Sequence, residues 1–275
     1  MKFLQALLGI LIFITSIAWG WSFNRYESFI TMVIGYWLFF DSLNKIFFKE
    51  SLITKSKPSL LIKTVFLGAL LGIVLDFDMT LAHIIEYYTM NNIWNLFLLY
   101  LGWGIGLLAI YESYVFFLRN FLRLGKIKFQ LFPNWLNKLL LKYSGFIGCL
   151  LILFVFLFFI HSSVPGWFVM FLFLGNWLIL EFLQYEQTKS GLLKTLLEGN
   201  WNHAIAIWPA AIFLCIAWEY MNLRMGHWAY VNIFWLEPKI LGIPLTAFFG
   251  YFCWFVIYLA FYKVFVNEND KLWEL

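Results

Sequence analysis

The chain has 275 residues, of which 63% are apolar and 12% charged, and a net charge of +4. Soluble domains carry roughly 45–50% apolar and about 25% charged residues, so a water-soluble surface is excluded, and the lack of apolar/polar alternation excludes a β-barrel. The 19 Lys and Arg residues are spread over short segments, which argues for orientation in membrane lipid and against a nucleic-acid partner.

A run of about 20 apolar residues crosses ~30 Å of hydrocarbon as a helix. In chain order such runs fall at 3–21, 29–48, 59–75, 93–118, 143–160, 167–185, 204–221 and 240–264. The first, with Lys2 and Ser16-Ile17-Ala18, also has features of a secretory signal, but its length suits a span. Lys63 stands near one end of the third, and Pro209 within the seventh predicts a kink. Cys149, Cys215 and Cys253 lie inside apolar runs and read as packing residues, outside any disulfide framework or Cys-rich metal site. The predicted fold class is therefore all-α: a polytopic transmembrane helix bundle of about eight spans.

Retained loops are enriched in Lys and Arg. Eight spans put 16 of these residues on the side of the two termini and leave Arg25, Arg224 and Lys239 opposite. The expected location is the cell (inner) membrane, with both termini cytoplasmic. On that side, residues 119–142 interleave Phe121, Ile127, Phe129, Phe132 and Trp135 with six basic residues, a composition suited to the lipid headgroup region. This gives a first unit at 1–118, an interfacial connector at 119–142 and a second unit at 143–275.

The two units look alike at a separation of 140. Gly35-Tyr36-Trp37-Leu38 matches Gly175-Asn176-Trp177-Leu178, Asp41 matches Glu181, and Asn44 matches Gln184. Leu101-Gly102 then meets Leu241-Gly242, and Tyr111 meets Tyr251. Four spans per unit make this a four-plus-four parallel repeat, with a two-fold axis along the membrane normal and a site expected at the seam. Carboxylates inside spans are costly. Asp41, Glu112 and Glu181 are accordingly one candidate polar cluster, the alternative being simple pairing with loop lysines or hydrogen-bond donors.

A second constellation is expected on the outer side, where Asp76, Asp78, His83 and Glu86 follow the third span and Glu219, Asn222, Arg224, His227 and Glu237 flank the end of the seventh. The histidine spacing matches no metal motif. Trp19, Trp21, Trp94, Trp167, Trp228 and Trp235 form an interfacial belt near the same boundary. There is no Gly-x-Ser-x-Gly elbow, P-loop or dinucleotide-binding pattern.

Trp218-Glu219-Tyr220, followed by Gly226-His227-Trp228-Ala229-Tyr230 and Leu241-Gly242-Ile243-Pro244-Leu245, resembles a segment of the polytopic carotenoid-biosynthesis proteins, namely heterodimeric-type lycopene cyclases and carotenoid hydratases. The resemblance covers residues 218–251, under an eighth of the chain. It implies an isoprenoid or carotenoid ligand and acid-assisted cyclase, hydratase or isomerase chemistry without a cofactor. The family's acid pair after Gly-x-Pro is replaced here by Thr246 and Ala247, so the proton donor falls to Glu219, with Asn222, Arg224, His227, Trp228 and Tyr230 as ligand-binding residues. The rival expectation is a noncatalytic transporter, lipid binder or assembly subunit using the same seam.

Overall fold

The computed structural model describes residues 2–88, 92–161, 165–233 and 236–267; Trp235 and Lys271 lie outside them. In chain order the helices are α1 (Lys2–Phe23), α2 (Glu27–Phe47), the one-turn α3 (Leu52–Lys55), α4 (Pro58–Leu81), α5 (Ile93–Leu124), α6 (Asn134–His161), α7 (Val169–Thr188), the short α8 (Leu192–Leu197), α9 (Asn202–Met225) and α10 (Leu245–Phe261). The last runs on as a π-turn over Tyr262–Val266. Two antiparallel ribbons complete the described chain: β1 (Ile85–Tyr87) with β2 (Trp228–Tyr230), and β3 (Lys239–Ile240) with β4 (Ile243–Pro244).

The protein is a multi-pass helical membrane protein. Seven helices are long and apolar enough to cross a bilayer, and large side chains such as Phe66, Phe146 and Phe213 are exposed on their outward faces. The eighth long helix, α2, carries Asp41, Ser42 and Asn44, all fully buried. It packs between α1 and α5, so these polar groups meet protein rather than hydrocarbon.

Both described chain ends sit at one end of the bundle, here the terminal end. There Gln5 donates to Asp41 at 3.2 Å, Lys63 Nζ donates to the Val266 carbonyl at 3.2 Å, and Arg119 pairs with Glu50 at 2.6 Å. The β1–β2 ribbon closes the other end.

Three expected boundaries move. The third run extends as α4 to Leu81, so Asp76 and Asp78 lie within the helix and are buried. The eighth starts late, because β3 and β4 occupy its first residues and the helix begins at Leu245. The connector is largely helical, since α5 runs through Arg123 to Leu124 and α6 starts at Asn134. Only 125–133 lies between them, bound to the α8–α9 loop by Phe129 N to Gly199 O at 2.8 Å and Trp201 N to Ile127 O at 3.1 Å.

Local arrangements recur between the halves. α1 crosses α2 where a Cβ on Gly35 would stand 2.5 Å from Phe13 N and one on Gly9 2.7 Å from Phe39 N. α6 crosses α7 in the same way: a Cβ on Gly148 would stand 2.6 Å from Gly175 O, and one on Gly175 2.7 Å from Ile152. Only glycine allows either approach. The fixed separation of 140 does not persist, however. Leu101-Gly102 lies within α5 whereas Leu241-Gly242 forms the β3–β4 turn, with φ of +54° and +80°. The later helices follow other separations. Trp103 meets Trp254 with ring centroids 4.1 Å apart, and Tyr111 meets Tyr262 at 4.7 Å, each pair 151 positions apart.

Candidate functional site

At the ribbon end, α9 ends at Met225 because Gly226 adopts the left-handed conformation (φ +66°) and turns the chain into β2. Asn222 holds that turn. Its Oδ1 accepts from the backbone N–H groups of His227 (3.0 Å) and Trp228 (3.1 Å), and its Nδ2 donates to the Trp228 carbonyl at 2.9 Å. One turn earlier on α9, Glu219 is 4% exposed. Its Oε1 accepts from Tyr230 at 2.8 Å and Tyr251 at 2.9 Å, and its Oε2 from Trp228 Nε1 at 3.3 Å.

Glu219 lines a cavity of about 60 Å3. Four tryptophans, Trp103, Trp218, Trp228 and Trp254, share its wall with Tyr87, Tyr230 and Tyr251. Trp103 stacks on Trp218 at 4.9 Å and 25°. A cavity needs roughly 10–15 Å3 to hold one water on this scale, so this one holds a group of about four heavy atoms and encloses no whole polyene. At Gly250 of α10, which also lines it, a Cβ would meet nothing within 4 Å, so there is free space beside that backbone.

The expected ligand residues divide. Trp228 and Tyr230 reach Glu219 directly, and Asn222 acts one step behind them by shaping the turn. His227 is 3% exposed and packs against the rings of Tyr26 (4.8 Å) and Phe29 (5.8 Å) instead of lining the cavity. Burial lowers its pKa to about 4, which keeps the ring neutral. Arg224 is exposed and outside the cavity wall.

Asp76, expected on the same side in the segment after the third span, instead lies within α4. Asp76 is 4% exposed and accepts from Tyr87 at 2.8 Å. Tyr87 lies in β1, paired with Trp228 of β2, while Ile85 pairs with Tyr230. Burial and the neighbouring carboxylate push the Tyr87 and Tyr230 phenols well above the usual range, so both remain donors. Its near neighbour Asp78 accepts instead from Asn176 of α7 at 2.6 Å. None of the ion pairs among the described residues includes Asp76, Asp78 or Glu219. No group of three or more metal-ligating side chains converges among those residues.

The other candidate cluster serves the backbone. Asp41 Oδ1 accepts from Ile53 N at 3.0 Å, and Glu112 binds Leu52 N and Asn44 Nδ2. Both acids thus satisfy the free N–H groups at the start of α3. Glu181 is not with them. It accepts from Leu192 N at 3.2 Å and Leu193 N at 2.9 Å at the start of α8, and from Trp177 Nε1 at 2.9 Å. The separation of 140 holds in this detail, because Asp41 with Ile53 corresponds to Glu181 with Leu193.

No protein family, curated protein or solved structure matches this chain.

Proposed function

We propose that this membrane protein binds a hydrophobic, isoprenoid-type ligand whose reacting end enters the tryptophan-lined cavity, where Glu219 acts as the acid. The observation that carries this reading is a buried carboxyl group held by three neutral donors at the polar end of an aromatic chamber, with no basic partner among the described residues. Protonated Glu219 would transfer its proton to a terminal double bond and leave a tertiary or allylic cation facing the surrounding rings. The cation is discharged by returning a proton from a neighbouring carbon to the Glu219 carboxylate, which gives isomerisation; by attack of a second double bond of the same chain, which forms the ring bond before that proton is returned and gives cyclisation; or by capturing water, whose extra proton returns to Glu219, which gives hydration. Thr246 and Ala247, at the positions where the resembling family carries its acids, border the same cavity, which supports Glu219 as their substitute. The reading includes a two-fold relation between the halves, supported by the recurring glycine crossings and helix caps, and a cytoplasmic terminal end, supported by the distribution of basic residues.

The cavity admits a chain terminus only, so the tail lies outside it, and the free space beside Gly250 is the exit this reading assigns. Mass spectrometry of lipids copurified with the protein tests the ligand class: a polyisoprenoid or polyene is expected, and bulk phospholipid alone overturns it. With that ligand as substrate, Glu219→Gln should abolish turnover while the protein still binds it, because an amide keeps the shape but supplies no proton.

The second reading is a noncatalytic lipid binder or transporter. The use of Asp41, Glu112 and Glu181 as helix caps favours it to this extent, that three of the membrane acids have a structural purpose. Under it, Glu219→Gln changes ligand retention and there is no turnover to lose.

A further inference from the structure

We propose that the cavity selects a positively charged ligand: an ammonium group carried on a hydrocarbon chain, seated among the four tryptophans with Glu219 as its counter-ion. It rests on the reading above for the cavity and the hydrocarbon chain, and differs from it in the state of Glu219, which is ionised and pairs with charge here but is protonated in the proton-transfer step. Three features of the chamber point the same way.

Its lining includes the indoles of Trp103, Trp218, Trp228 and Trp254, packed against one another with Trp103 at its centre. Such a cage attracts a cation through the ring quadrupoles, most strongly where water is excluded. Its size also suits a head of about four heavy atoms, as in a trimethylammonium group.

Ionisation of either acid beside the chamber leaves a negative charge there with neutral neighbours. Glu219 borders the cavity and Asp76 stands behind Tyr87, which borders it too. The groups facing Glu219 are Trp228 and Tyr230 from β2, Tyr251 from α10 and Cys215 from α9 itself. Asp76 is in contact with Tyr87 from β1, and Tyr26 before α2, Tyr100 from α5 and Tyr258 from α10 lie within its electrostatic reach. Every one is neutral, so among the described residues a bound cation would be the first positive charge either carboxylate meets.

One acceptor also remains open. Asp76 Oδ2 is buried and has no hydrogen-bond partner among the described residues, although its other oxygen is bound by Tyr87. Buried carboxylate oxygens without partners are uncommon and costly. A positive charge in the adjoining cavity lowers that cost for both acids.

The test uses the full chain in lipid nanodiscs and two probes of equal shape, pentyltrimethylammonium and its uncharged carbon isostere 2,2-dimethylheptane. Binding is measured by calorimetry, with empty nanodiscs subtracted. The ammonium should bind at least ten-fold more tightly, and Glu219→Gln should remove most of that preference, with a smaller loss in Asp76→Asn. Equal binding of the two probes overturns the charge assignment while leaving the hydrophobic-ligand reading intact. Binding of neither overturns both. The comparison on the unaltered protein decides the matter even where a variant fails to fold.

Discussion

Asp76 and Glu219 stand 143 positions apart in the chain, and the tyrosines that donate to them, Tyr87 and Tyr230, stand 143 apart as well, each bond being 2.8 Å long. The β1–β2 ribbon sets the two tyrosines at diagonal positions, Tyr87 opposite Trp228 and Tyr230 opposite Ile85, so both acid–tyrosine pairs lie at the same end of the bundle. The environments differ: Glu219 has two further donors, Tyr251 and Trp228, whereas Tyr87 is the one donor bound to Asp76 among the described residues.

That difference sets the cost of losing each hydroxyl. Tyr87→Phe should destabilise the protein by about 1.5–3 kcal/mol, the range for a hydrogen bond to a charged group. Tyr230→Phe should cost about 1 kcal/mol, because two donors remain. Thermal unfolding in detergent gives the order, and a larger loss for Tyr230→Phe would refute this account of the acids.

The glycine crossings make a second comparison. A methyl group at Gly35 meets the backbone of α1 at Phe13, whereas one at Gly175 meets the Ile152 side chain first, at 2.7 Å, and Gly148 O at 2.9 Å. Side chains yield more readily than backbone. Gly35→Ala should therefore cost more than Gly175→Ala, both within the roughly 1–3 kcal/mol typical of overpacking, with melting temperatures as the measure.

His227 gives a pH signature. Its folded pKa is lowered to about 4 by burial, below the unfolded value of about 6.5, so the neutral ring is the form the fold favours. Its contribution to stability is complete above about pH 6.5 and is lost as pH falls towards 4, because the unfolded chain gains the proton first. His227→Phe keeps the ring contacts with Tyr26 and Phe29 and should flatten that part of the stability profile. An unchanged slope between pH 6.5 and 4 would show that the histidine is not held neutral.

Orientation can be read by labelling. With the three native cysteines replaced, Lys126→Cys in the α5–α6 loop should react with a membrane-impermeant reagent only after the cytoplasmic face is opened. Reaction in intact cells would reverse the assignment drawn from the basic residues.

The helices were legible because lipid demands long apolar runs, and all eight runs are realised as long helices. The pairing of Asp41 with Glu181 was legible too, because spacing is preserved from α2 to α3 and from α7 to α8. The second half of each unit was not. Asp76 and Glu219 differ by 143 positions and Trp103 and Trp254 by 151, so a comparison at 140 places Glu219 against Met79 and misses the match. Hydropathy also ended the third span before Asp76, because an acid in an apolar run reads as a terminus until a buried tyrosine is found beside it. Trp228 and Tyr230 could be chosen from their nearness to Glu219 in sequence, whereas Tyr87, Trp103 and Trp254 reach the cavity from distant segments that no local motif connects.

The antiparallel ribbon at the cavity end has an evolutionary consequence. A dimer of identical four-helix subunits would place two equal acid–tyrosine pairs on its axis, and any substitution would strike both at once. Within a single chain each pair mutates alone. Glu219, with three donors and a place in the cavity wall, and Asp76, set behind Tyr87 with one oxygen bound, are already unequal, so a substitution at one leaves the other's hydrogen bonds in place.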